Sequence, residues 1–499
     1  MLDLRRFDIA GIPPEPYVAS AETHTGAVLF VGDLAYKVKK PVALGFLDWT
    51  ERAARAEAIE TELVLNRRLT PDVYLGSGVL PRQGGGDDEP VLVMRRLPAC
   101  RRLSTLVHRG DDVDDVLRHL AHQLAAFHLS TDVTDAAVTA ASAAETRRRW
   151  EANHERLRPS FGQWVDGELA EAVLDRACRY LDGRTELLEE RVAHGWARDG
   201  HGDLLADDVF CLDDGPRILD CLDFDERLRV GDVLSDIAFL AMDLERLGRA
   251  DLGWRLLELH REMTGDTWPT SLAHHHVAYR AQVRALVSCA RADQGDAAAG
   301  TQASQLLLLA ARHVAAGRVR LILVGGAPGT GKSTLAAGLG DVLGAPVLRS
   351  DEIRKELAGI PAGAHAGAHI GKGIYTPAWT DRTYVELLDR TRRLLRRGET
   401  VVLDATWAEH ARRASARETA ECGRAEVVEL RCVVDDEIAR ARAVARALAG
   451  KDPSDADAAV AATLAATFER WAEATPVSTA STPKATLEAA VEAVENAGR

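Results

Sequence analysis

The chain has 499 residues, 46% of them apolar and 28% charged, too long for one hydrophobic core and suited to about three structural units. No run approaches the ~18 uninterrupted apolar residues of a membrane span, and Met1-Leu-Asp-Leu-Arg-Arg is not followed by an apolar stretch, so a cytoplasmic protein without membrane association is expected. The net charge of −14 belongs wholly to residues 1–316, because 317–499 balances 25 Lys+Arg against 25 Asp+Glu. An acidic first part argues against nucleic acid as a partner and toward a cationic substrate, or serves solubility alone. Seven cysteines without a CxxC pair read as reduced, mostly packed thiols.

In chain order, Ala27–Val31 and Leu34–Lys39 flank Gly32-Asp33, which predicts a β-hairpin. Helical spacing follows over 50–69, then a surface loop at 84–88 and a strand at Val91–Arg95. Phe46, Trp49 and Tyr74 read as packing of this lobe. Two helical blocks, about 111–193 and 233–315, enclose a second hairpin of two apolar runs, 209–212 and 217–222, joined by Asp213-Asp214-Gly215. The Ala/Gly/Gln-rich stretch 294–304 could be a linker before a helix at 306–314. His274-His275-His276 reads as structural, since three consecutive helical residues point in different directions. After about 316, strand and helix alternate: 321–324, a helix from 331, 346–348, a helix from 351, 400–403, a helix from 409, 426–430, then helices to the end. That alternation predicts a parallel sheet covered by helices.

The second hairpin region carries chemistry. His201-Gly202-Asp203 supplies an Asp able to orient a hydroxyl; Asp223, in Leu222-Asp223-Phe224, is the candidate metal ligand within the acidic cluster Asp220, Asp223, Asp225. Gly231-Asp232 and Asp236 would brace the loop. Lys37 and Lys39 lie on one face of their strand, and either could bind nucleotide phosphates with Glu62 as ion-pair partner. The alternative is an ordinary basic strand edge of Lys37, Lys39 and Lys40. These residues resemble the aminoglycoside phosphotransferase and choline kinase family over about 20–290. The resemblance implies Asp203 as catalytic base. The family's HGDLHxxN runs here as His201-Gly-Asp203-Leu-Leu205-Ala-Asp207-Asp208, so Asp208 stands where the metal-binding Asn would be, and only Thr23-His24-Thr25-Gly26 occupies the place of a glycine-rich loop.

The second signature is a complete P-loop, Gly326-Ala-Pro-Gly329-Thr330-Gly331-Lys332-Ser333, with Thr334 next to it. Its glycines let backbone N–H groups wrap a phosphate at a helix start, Lys332 would reach the β- and γ-phosphates, and Ser333 would hold Mg²⁺. Asp351 follows the second strand and reads either as base for an acceptor hydroxyl or as a helix N-cap. Asp404 ends the third strand as a second metal-site acid, while Arg440, Arg442 and Arg446 form either a lid or a solvated helix face. GAPGTGKS, SDEIRKEL, VVLDATW, the Arg-rich helix and the stretch 452–456 resemble the small P-loop kinases grouped with gluconate kinase, polynucleotide kinase and zeta toxin, over about 319–470. That resemblance implies Asp351 as base or substrate anchor, Arg354 as substrate contact, and Arg442 or Arg446 as lid arginine. No second region of homology typical of oligomeric AAA ATPases is apparent.

The fusion itself resembles a bacterial two-module group, on YKVKKPV (36–42), LNRRLTPDVYLG (65–76) and LDCLDFDERLRVGDVLSDIAFLAMDLERLG (219–248), with a composition similar to that of high-GC actinobacteria. The expected fold is α/β: a bilobal kinase-like module with a strand-rich lobe (1–95) and a helical lobe (96–316), then a P-loop module with a parallel sheet (317–499). The expected function is a bifunctional phosphotransferase using ATP and Mg²⁺ on a small-molecule hydroxyl. The rival is a regulatory protein with a degenerate first module and an ATPase switch; a third reading gives the second module an RNA or nucleotide-sugar acceptor.

Overall fold

The computed structural model describes residues 19–22, 26–44, 47–81, 88–361, 373–449 and 467–497. The chain divides into two compact units: residues 1–170, 190–268 and 276–312, and residues 171–189, 269–275 and 313–499.

In the first unit, β1 (Ala19–Glu22), β2 (Gly26–Val31), β3 (Leu34–Lys39), β4 (Tyr74–Leu80) and β5 (Glu89–Arg95) form an antiparallel sheet in the order β1-β2-β3-β5-β4. The β2–β3 hairpin turns on Gly32-Asp33 with Gly32 at φ +56°, as its sequence predicts. Strand β4 escapes sequence reading because Gly76 and Gly78 break its apolar alternation; a register shift lies between Tyr74 and Gly76. The helix Arg52–Arg67 lays Ile59 and Leu63 on the sheet, where Ala35, Tyr74, Leu92 and Met94 complete a core. The same helix carries Glu62, 1% exposed, to the sheet's inner face.

Helices follow, among them Asp114–Ser130, Val233–Arg246 and Ala250–Thr264, with the hairpin β6 (Val209–Leu212) and β7 (Gly215–Ile218) between the two helical blocks. The helix Val233–Arg246 is buried over most of its circumference, which fits its near-continuous apolar sequence. Its buried Asp236 and Asp243 are therefore exceptions that need partners. The stretch 294–304 is not a linker: Ala297–Ala316 is one helix, as its Ala, Gln and Leu favour. His275 and His276 are buried.

In the second unit, β8 (Arg320–Gly325), β9 (Val347–Arg349), β10 (Val401–Asp404), β11 (Glu426–Val433) and β12 (Thr475–Ser478) form a parallel sheet in the order β9-β10-β8-β11-β12. Strand β12, Thr-Pro-Val-Ser, was not expected from its sequence; it is an edge strand, where a proline is tolerated. Ile322, Val324, Val402, Val428 and Leu430 pack against Leu335, Ala336 and Leu339 of the helix Lys332–Leu343. The sheet's carboxyl ends present Gly325 and Asp404 side by side with Arg349, since Val324 registers with Asp404 and Asp404 with Arg349. All seven cysteines are free thiols; Cys211, Cys221, Cys289 and Cys432 are buried, while Cys100 and Cys422 are exposed. Among the described residues no helix is long and apolar enough to cross a membrane.

Candidate functional site

Two sites emerge, one in each unit. In the first, the alternation of β3 brings Lys37 and Lys39 to one face, and both reach Glu62: Lys37 Nζ lies 2.7 Å from Oε1 and Lys39 Nζ 2.7 Å from Oε2. The pairing expected for Glu62 is present, and the reading of these lysines as a plain strand edge is excluded. They differ in surroundings. Lys39, 4% exposed, is wedged between Glu62, Asp223 (2.5 Å) and the Trp49 ring. Lys37 is 20% exposed and reaches Asp220 at 2.6 Å. Burial would lower the Lys37 pKa, but Asp220 and Glu62 outweigh it and hold it well above the usual lysine value.

The His201-Gly202-Asp203 segment is held from below. Asp236 accepts the N–H groups of His201 (Oδ2) and Gly202 (Oδ1), both at 2.8 Å, and its Oδ2 lies 3.0 Å from His128 Nε2. Asp243 accepts Ala206 N at 2.9 Å. Gly202 sits at φ +87°, and a Cβ there would come within 3.1 Å of the Arg229 backbone, so this turn requires glycine. The brace expected from Asp236 is present. Asp232 serves elsewhere, in a bidentate pair with Arg191, which also grips Asp266.

The acids are arranged differently from the sequence expectation. Asp223, chosen as the metal ligand beside Asp208, faces Lys39 and Glu62. Asp220 is the carboxylate next to Asp208 and Asp203: burial pushes the Asp208 carboxyl well above the carboxylate range, and the charges of Asp220 and then Asp203 add to the shift. The reason is local backbone. Asp220 stands two residues beyond the end of β7 and adopts φ +66°, a left-handed conformation that turns the chain at the site. The expected acidic cluster contained this residue. Asp203 lies 3.7 Å from Arg284; burial raises its pKa, which Arg284 partly offsets. Among the described residues no three His, Cys, Asp or Glu side chains are gathered as a metal cluster. Residues 23–25 and Phe46 lie outside the described residues.

The second site is built from backbone. Gly326, Gly329 and Gly331 have φ of +140°, +83° and +85°. A Cβ on Gly329 would stand 2.3 Å from Ala439 O, and one on Gly326 2.8 Å from Cys432 O, so the loop is enclosed closely enough to demand glycine. Gly326 N donates to Thr406 O, Thr330 Oγ1 to Ala327 O, and Lys332 Nζ rests on Ala327 O at 3.0 Å. Ser333 is half-buried at the helix start and Thr334 is exposed. Asp404, 5% exposed, meets Arg349 Nε at 3.2 Å. Beyond Asp404, the fully buried Trp407 takes φ +54°, a strained conformation next to the loop.

Asp351 is not an N-cap: the helix Ser350–Leu357 begins before it, with Arg349 in the cap position. It faces Arg354, whose pKa burial lowers and Asp351 partly restores. Arg354 is 6% exposed and donates to Ile374 O (3.0 Å) and Thr380 Oγ1 (3.1 Å), with its guanidinium over Tyr375. On the helix Asp436–Ala449 the arginines separate. Arg440 is exposed and turns back to Asp436 O, a solvated face. Arg442 grips Thr479 through its carbonyl (2.9 Å) and hydroxyl (3.3 Å), and the Thr479 hydroxyl donates to Thr330 O in the P-loop. Thr479 carried no sequence signal, lying 149 residues from its partner. The Arg446 side chain and residues 452–456 lie outside the described part.

Compared with known proteins, the chain is 40% identical over 464 residues, 93% of its own length and 93% of theirs, to uncharacterized proteins of Mycobacterium tuberculosis and Mycobacterium bovis. It belongs to their family. The likeness covers 93% of both chains and so runs through both units. Residues 321–471 match a family model described as an AAA domain. Similar solved structures include a choline/ethanolamine kinase family protein from Mesorhizobium loti (15% identity, TM-score 0.40, 62% of this chain and 94% of that one). A gluconokinase from Sinorhizobium meliloti also matches (19% identity, TM-score 0.25, 36% of this chain and 91% of that one).

Proposed function

We propose that this family member is an ATP-dependent phosphotransferase in which each module moves a phosphoryl group to a hydroxyl of a small molecule. The observation that carries the reading is the glycine cradle of the second unit, closed by Ala439 O and Cys432 O at the start of the helix Lys332–Leu343, with Asp404 at the adjacent strand end. A nucleotide phosphate fits it: backbone left-handed at three glycines approaches closely, and the helix dipole favours the anion. Lys332 would leave Ala327 O to hold the β- and γ-phosphates; Ser333 and Asp404 would hold Mg²⁺ as hard oxygen donors. When bound, ATP supplies the phosphoryl group and Mg²⁺ neutralises its charge. Asp351 would orient the acceptor hydroxyl and take its proton at a carboxylate oxygen, with Arg354 fixing Asp351 from its buried side.

In the first unit Asp203 has the same role. Lys37, the more exposed lysine, is the better phosphate contact, and Lys39 keeps Glu62 and Asp223 in place. Asp208 and Asp220 are the acids whose chemistry fits Mg²⁺, because carboxylates crowded together favour a shared cation. The acidic first unit fits a cytoplasmic enzyme acting on a small molecule rather than nucleic acid.

A second reading has its own support. Asp220 and Asp223 are both paired to lysines, an arrangement that suits a first module that binds without turnover. Mg·ATP turnover by the whole chain, Lys332→Ala and Asp203→Ala, with a metabolite extract as acceptor, separates the two. A new phosphorylated metabolite lost in one variant identifies the acting module. ATP binding or hydrolysis without any phosphorylated acceptor sinks the transferase reading and favours the regulatory one.

A further inference from the structure

The second unit holds a pocket open to solvent, with about 460 Å³ of non-atom space counting that at its mouth, away from the P-loop. It lies against Arg318 and Val319, which lead into β8, and Glu426, which begins β11, so it is at the amino ends of the parallel strands. The P-loop leaves β8 at its carboxyl end, six residues or roughly 20 Å further on. The two sites are therefore distinct.

The lining is cationic. Among the described residues it includes five guanidinium groups, those of Arg176, Arg179, Arg184, Arg318 and Arg424, against the single carboxylate of Glu426. Arg318 uses Glu426 at 3.3 Å, and Arg424 pairs with Glu421 at 2.9 Å. Arg176 and Arg179 are exposed at the rim without an ion pair among the described residues. Arg184 is the telling group. It is 1% exposed, donates once, from Nη1 to Gly423 O at 2.6 Å, and its buried Nε has no partner. Tyr180 lies under its guanidinium at 5.1 Å, and His275 stacks on Tyr180 at 4.8 Å.

Burial pulls Arg184 down to about 10, Arg179 adds to the effect, and no carboxylate offsets it. Arg191, equally deep, is held by Asp232 and Asp266; the fully buried Arg413, whose Nε is also unfilled, donates to three backbone carbonyls, against one for Arg184. A buried cation without a counter-charge costs several kcal/mol, and an unfilled donor beside it points to a missing acceptor.

We infer that this cavity binds a phosphate group, as inorganic phosphate or a phosphomonoester, with Arg184 at its base and Arg176 and Arg179 at its mouth. Converging planar guanidinium forks match a doubly charged tetrahedral oxyanion. The inference does not depend on which reaction the P-loop performs.

The test uses the full chain carrying Lys332→Ala, which weakens phosphate binding at the P-loop. Inorganic phosphate and glycerol phosphate are titrated calorimetrically against chloride at equal ionic strength. Saturable binding is expected, weakened at least about tenfold by adding Arg184→Met and severalfold by adding Arg179→Ala, an exposed change that keeps the fold. Tighter binding of glycerol phosphate would make a phosphomonoester the ligand; tighter or equal binding of inorganic phosphate would make it the free ion. Arg184→Met should lower the unfolding midpoint only when phosphate is present. If it lowers the midpoint equally in chloride, Arg184 merely caps Gly423 and the site is refuted. Binding that Arg179→Ala leaves unchanged, or heat that never saturates, overturns it as well.

Discussion

The two units handle charge by opposite means. The first assembles its site from ionised side chains, Lys37, Lys39, Glu62, Asp203, Asp208 and Asp220, drawn from segments up to 183 residues apart. The second uses backbone, with three left-handed glycines inside one eight-residue stretch. Buried ions must be paired to be tolerated, so in the first unit the site and the fold rest on the same contacts. A glycine loop makes no such demand, and its chemistry is separable from stability. Loss of function and loss of fold should coincide in one unit and part company in the other.

The sharpest challenge to that contrast is Asp236→Ala. It removes the acceptor for the His201 and Gly202 N–H groups and the partner of His128, and should cost about 3–5 kcal/mol in urea unfolding. A loss under about 1 kcal/mol would mean the loop is held by other contacts.

Acid should weaken the first unit next. Burial lowers His260 to about 3 and His276 to about 4, so both stay neutral in the folded chain while the unfolded chain takes up protons below pH ~6.5. Stability is then full above that pH and falls by about 1.4 kcal/mol per unit for each histidine as pH drops toward 4. The Asp236 carboxylate, held below its usual range against burial by His128, adds its own loss only below about pH 4. Midpoints measured from pH 7 to 4.5 check this, and His260→Gln should reduce the slope, the rest coming from His276 and from His201, which burial also lowers.

In the second unit, Lys332→Ala should weaken binding of a non-hydrolysable ATP analogue by roughly ten- to a hundredfold while leaving unfolding within about 0.5 kcal/mol of the parent. An equal loss of stability would erase the distinction between the units. The smallest expected effect separates two arginines of one helix. Arg442→Ala, which frees Thr479 from its grip, should lower nucleotide affinity a few-fold, and Arg440→Ala should change nothing beyond about 0.5 kcal/mol.

Much of this was legible in the residues. The β2–β3 hairpin, the P-loop, the Lys–Glu pairing and the Asp236 brace all follow from short-range signals: a turn dipeptide, a glycine spacing, an alternating strand, an acid in an apolar helix. The strand Tyr74–Leu80 was hidden by its glycines and Thr475–Ser478 by its proline and brevity, since pairing to a neighbour, not local preference, makes them strands. The choice between Asp220 and Asp223 could not be made from spacing, because a left-handed turn at Asp220 decides which carboxylate faces Asp208.

What the sequence alone determined was therefore the inventory: the His201-Gly202-Asp203 and P-loop motifs, the α/β class, and the residue types each motif brings. Only the tertiary structure decided which charges meet. It placed Asp223 against Lys39, tied Arg442 to the P-loop through Thr479, and left Arg184 buried without a carboxylate. Local preferences act over a few residues, whereas the cost of burying a charge depends on every group that surrounds it, and that company exists only once the chain is folded.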